Sequence, residues 1–197
     1  MNNNYRSFVF PFLFLTYFCC SCLAHVINLG NVDLMGHITK IAAVENATAI
    51  WEYDPTRPDN RVLGGSLDVI AAIRTLAIKI QASGQRIEYF HSTQIRCGLP
   101  EAVKIPLHSN IRWGTAFKML DQANKLRQPI ALFVTSADEM YGPITTLRRD
   151  NRLLKHIPWS AFKMVESDWL RVIDARDILG VSQVIFILLQ IGNDEIR

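Results

Sequence analysis

The apolar residues Leu67, Ile70, Ile73, Ala77 and Ile80 recur at the spacing of one helix face, and no other feature constrains the fold as strongly. Ser66 stands where a cap belongs and Ser83-Gly84 where a helix stops, so one helix is predicted across the stripe. Residues 22–43 repeat the pattern with Val26, Leu29, Val32, Ile38 and Ile41, weakened by Gly30 and Gly36. Pro55, Pro58 and Gly64-Gly65 make 52–65 a loop. A shorter helix is expected over 85–95, broken by Cys97-Gly98-Leu99-Pro100. Residues 103–107 are then extended, because Pro106 disfavours helix in the residue before it.

Ser109 or Asn110 begins the next helix, with Trp113, Phe117, Leu120 and Asn124 aligned one above another. A further helix runs from Pro129 to Gly142, although 130–134 also fits a strand locally, and Pro143 interrupts it. Pro158 precedes a helix carrying Phe162, and Ser167 with Asp168 starts one carrying Trp169, Val172 and Ile173. Roughly five to seven helices and little β structure follow, a mainly α architecture.

The chain has 197 residues, 49% of them hydrophobic, which is enough to bury a substantial core and excludes a disordered tail. A net charge of +3 does not by itself mark a nucleic-acid binder. Basic residues recur over 86–127 and 148–155, as solvated helix faces or as phosphate contacts. Cys19, Cys20 and Cys22 crowd together while Cys97 stands alone, so there is no disulfide framework. Only Cys22-x-x-His25 has metal-ligand spacing, and without a second such pair no metal site is expected. The neighbouring acids Asp138 and Glu139, and likewise Asp174 and Asp177, read as helix-surface charges. No nucleophile motif and no glycine-rich phosphate loop occurs.

The ends differ from the middle. Residues 7–24 carry no charge and follow Arg6, the pattern of a secretory signal ending at a small residue. On that reading Asn46-Ala47-Thr48 is a glycosylation acceptor in a small secreted or membrane-anchored helical protein without enzymatic activity. The same run is rich in residues with pyrimidine-rich codons, as a translated intron end would be. Gly180-Val181-Ser182 can likewise be encoded by an intron-start sequence, and 184–197 lacks the amphipathic pattern before it. The expected organisation is therefore an apolar segment over 1–21, a helical unit over 22–179 and an unrelated apolar tail over 180–197.

Two segments carry a resemblance: Cys22-Leu23-Ala24-His25-Val26-Ile27-Asn28-Leu29, and the run from Ile105 through His108-Ser109-Asn110-Ile111-Arg112-Trp113 to Leu120. The first resembles the CxxH-containing helix of hAT-superfamily DNA transposases, and the second resembles their RW motif. Their order and separation fit that family, and the Leu126–Ile130 and Tyr141–Arg149 stretches look like relatives abundant in mushroom-forming fungi. The resemblance implies the start of the helical insertion domain of a ribonuclease H-like transposase, located in the nucleus. It implies DNA contact by Arg112 and Trp113, the tryptophan stacking on a displaced base, and places Cys22 and His25 near the family's catalytic centre. An aromatic face replaces lost base stacking by roughly 1–3 kcal/mol, and a guanidinium beside it meets phosphate. The residue pattern alone favours Trp113 as a core residue in line with Phe117 and Leu120, and His25 as a satisfied histidine at a core edge.

The family's three metal-binding carboxylates have no recognisable counterparts here, because no acid precedes Asp33 and the third would lie beyond the insertion domain. The chain is therefore expected to be a truncated transposase-like protein, inactive alone, with residual DNA binding. No cofactor is expected as written; a divalent metal such as Mg belongs only to a full-length member. No oligomer is expected without the family's C-terminal region, and a membrane partner only if the N-terminal apolar run is used as such.

Overall fold

The computed structural model describes residues 26–27, 29–31, 33–41, 53–62, 64–107, 113–149 and 152–194. Among these, the stripe that opens at Leu67 becomes the central helix α1 (Val69–Gln81), with Val69, Ile70, Ala71, Ala72, Ile73, Leu76, Ala77 and Ile80 all buried. Burial around most of its circumference means that other elements enclose it. Its cap is Asp68, whose carboxylate accepts the Ala71 N–H at 2.9 Å, and not Ser66 as expected. Ser66 is already committed: it pairs antiparallel with Val62 across Gly64 and Gly65, whose φ values of 72° and 95° suit glycine.

α1 stops just ahead of Ser83-Gly84, as expected. The helix α2 (Gly84–Arg96) starts there and buries only Phe90, Thr93 and Gln94. It ends as expected beside Gly98, in a Schellman arrangement: Gly98 N–H donates to Ile95 O and Leu99 N–H to Gln94 O. Residues 102–107 form no regular element. Gln94 substitutes for a strand partner, its amide accepting from Val103 N–H and donating to Val103 O, both at 2.9 Å. Gln81 donates to Ile105 O at 2.8 Å and fixes the next buried residue.

Helix α3 (Trp113–Lys125) turns Ala116, Met119, Leu120 and Ala123 into the core. The expected stripe is thus rotated, with Phe117 and Asn124 only half-buried. The small residues Ala116 and Ala123 leave room for a neighbouring helix. Leu126, fully buried, joins α3 to α4 (Arg127–Tyr141). Pro129 is tolerated because it lies in the first turn, where N–H groups have no helical acceptor. The stretch 130–134 is helical, with Ile130, Phe133 and Val134 buried. Phe133 meets Phe90 and Trp159 edge-on, with ring centroids 5.7 and 5.3 Å away.

After Gly142 (φ 68°), the strands β1 (Thr145–Arg149) and β2 (Arg152–Ile157) form an antiparallel hairpin with an irregularity at Leu147/Arg148. Little β structure was expected, yet Asp150-Asn151 between two Thr/Leu/Ile-bearing runs is a turn signal of the usual kind. A 3-10 turn (Trp159–Phe162) then buries its aromatic ends. The last helix, α5 (Glu166–Asp194), begins one residue before the expected start. Asp168 accepts the Val165 N–H at 2.9 Å, half of a capping box. Trp169, Val172, Ala175 and Leu179 complete the same core as α1, α3 and α4.

The backbone of α5 continues as helix through Gly180, whereas burial falls away after Leu179 and Val181 and Val184 are exposed. Mainly helical architecture is the outcome, as the periodicity predicts. No helix among the described residues is long and apolar enough to cross a membrane.

Candidate nucleic-acid interface

The segment ahead of the second motif is pinned at Val103 by Gln94 of α2 and at Ile105 by Gln81 of α1, and α3 starts at Trp113. Arg112, Cys22, His25 and the Trp113 side chain lie outside the described residues, as do the runs 1–25 and 195–197.

Several basic residues have structural work. Arg86 lies over the Tyr141 and Trp159 rings, 5.9 and 5.4 Å from their centroids, and donates to Lys79 O at 2.8 Å. Arg127 pairs with Glu166 at 3.3 Å, and Lys125 with Asp121 at 2.7 Å. Arg171 reaches from α5 to Leu67 O at 2.7 Å while holding Asp168 at 2.5 Å. Beside it opens a cleft of about 510 Å³ between the Val62–Ser66 turn and the start of α5, bordered also by Arg61 and Lys163.

Four carboxylates, of which the sequence singled out only Asp168 as a helix start, are tied to backbone N–H groups. Asp68 accepts from Ala71 N–H, from Lys40 N–H at 2.7 Å and from the Thr39 hydroxyl at 3.0 Å, while its own N–H donates to the Tyr53 hydroxyl at 3.0 Å. Burial pushes its carboxyl above the ordinary value, and these donors pull it partly back. Tyr53 is fully buried; desolvation raises its phenol to about 12, against the Asp68 N–H, which lowers it. Asp138, expected as a surface charge, accepts Trp159 N–H at 2.6 Å and Ser160 N–H at 2.9 Å and so caps the 3-10 turn. Glu139, Asp174 and Asp177 are exposed, as expected. Asp168 is the third, and Asp54, which accepts the Thr56 N–H at 3.0 Å, the fourth. The signals were local: an acid directly before an apolar stripe, and an acid three residues after a helix cap. Among the described residues no group of three His, Cys, Asp or Glu side chains could share a metal ion.

A helical unit built on α1 with α3 and α5 across it is the class of fold the described residues define. A family model described as the ZBED1 RNase-like helical domain matches residues 20–157, and the chain belongs to that family. Neither the curated proteins nor the solved structures hold a significant match.

Proposed function

We propose that the chain is a hAT-type, nuclear DNA-holding unit that does not itself cut DNA, kin to the fungal transposase relatives it resembles. The observation that carries the reading is the family match over 20–157, a span that includes both motif segments. Arg112 contacts phosphate and Trp113 stacks on an unpaired base; Cys22 and His25 lie beside that end. The folded unit extends to Leu179, the last residue of the core. The buried carboxylates Asp68, Asp54 and Asp168, and the capping Asp138, serve backbone donors, which leaves them unsuited to gripping two cations.

The test is fluorescence anisotropy of the whole chain with a labelled duplex carrying an unpaired end. Binding is expected to fall steeply with salt, as phosphate contacts require, and to persist in EDTA. Trp113→Ala is expected to weaken binding by about five- to 150-fold, the stacking range, and only where the end is unpaired. Binding that needs divalent metal, or that ignores both Arg112→Ala and Trp113→Ala, overturns the reading.

A further inference from the structure

The cleft between the Val62–Ser66 turn and the start of α5 holds three cations, Arg61, Lys163 and Arg171, against one carboxylate, Asp168. That carboxylate is spent. One oxygen takes the Val165 N–H and the other takes Arg171, with both side chains of the pair largely buried (12% and 24% exposed). Arg61 and Lys163 have no ion-pair partner among the described residues, so the cleft keeps uncompensated positive charge beside a low-dielectric floor. Asp168 takes the Val165 N–H just ahead of α5, and it is the cationic side chains that make the site.

We infer that this cleft is a phosphate-contact site for the DNA backbone, separate in sequence from the Arg112-Trp113 motif. A phosphodiester stays anionic at every physiological pH and presents two unbridged oxygens, the acceptor that guanidinium and ammonium groups suit best. The cleft volume of about 510 Å³ exceeds what a lone phosphate fills and accommodates a nucleotide unit of a longer strand. The inference rests on the proposed DNA-holding function and adds a second anchor to it. Neither Arg61 nor Lys163 is tied into the core, so replacing them leaves the Arg171–Leu67 link intact.

The experiment is a salt titration of duplex binding by the whole chain, comparing it with Arg61→Ala/Lys163→Ala, with Lys163→Glu alone and with Arg112→Ala; circular dichroism melts verify the fold. Losing two phosphate contacts is expected to weaken binding about tenfold or more, equally across sequences, and to lower the salt slope by about two. Unchanged affinity and slope in both cleft variants, with Arg112→Ala still weakened, overturns the cleft and leaves the DNA-holding reading standing. No binding by the unsubstituted chain overturns both. Full competition by low concentrations of inorganic phosphate at constant ionic strength assigns the cleft to a free anion and overturns the inference.

Discussion

Asp68 gathers donors from two parts of the chain, Thr39 with Lys40 and Ala71 in α1, while its own N–H donates to the Tyr53 hydroxyl oxygen. Asp68→Ala leaves those donors buried without an acceptor, and a loss of about 2–3 kcal/mol is expected in chemical denaturation. Asp68→Asn keeps the cap on Ala71 and is expected to lose less. The carboxyl is raised by burial above its ordinary 3.8, so the folded state holds this proton more tightly than the unfolded chain does. Its contribution is fully present below that ordinary value and is lost as pH climbs through the raised one. Tyr53 behaves likewise at the other end of the scale: its contribution holds below the ordinary 10.0 and is lost as pH rises through about 12. Stability measured against pH is expected to fall in both windows, with the acid one flattened in Asp68→Asn and the alkaline one in Tyr53→Phe. The sequence offered Ser66 rather than Asp68 as the cap and read Asp138 as a surface charge, because the donors these acids meet include residues far along the chain and sequence spacing carries no such information.

At the scale of elements, the crossing of α3 and α5 is set by one small residue. A Cβ placed on Gly180 would stand 2.9 Å from Phe117 Cε2 and 3.4 Å from its Cδ2, so the bare glycine lets the helices meet. Gly180→Ala gains about 1 kcal/mol of helix propensity, while overpacking costs typically about 1–3 kcal/mol. A net loss of stability is expected with Phe117 present, and a net gain in a Phe117→Ala background; the double-mutant cycle reads the sign. Asp138→Ala removes the acceptor for Trp159 and Ser160 N–H, with an expected cost of about 1–2 kcal/mol, the range for a lost cap. Existence of the helices was legible because each has a periodic apolar face and a glycine, proline or capping residue at an end. The rotated face of α3 was not, since two registers of its apolar residues satisfy helical spacing and only the position of α5 chooses Met119 and Ala123 over Asn124.

Across the whole molecule, the family match ends at residue 157 but the core does not. Trp159, Phe162, Trp169, Val172 and Leu179 fill positions against α1, α3 and α4, so a fragment ending at residue 157 leaves apolar surface of those helices uncovered. Such a fragment is expected to melt without cooperativity and to bind a hydrophobic dye, whereas one ending at residue 182 melts cooperatively. Its last residue, Ser182, donates to Asn31 Oδ1 at 2.9 Å and ties the end of the core to the N-terminal helical segment.

The sequence by itself determined that this chain is helical and where most helices begin and end, because propensity, capping and apolar periodicity act within a few neighbouring residues. It also carried the two segments that resemble hAT motifs, within the 20–157 span that the family model matches. The tertiary structure alone decided that Asp68 and Asp138 are anchors, that Arg86 packs on Tyr141 and Trp159, and that Arg61, Lys163 and Arg171 share one cleft. Those are meetings between residues distant in the chain, fixed by how the helices pack and by which buried polar groups must find a partner.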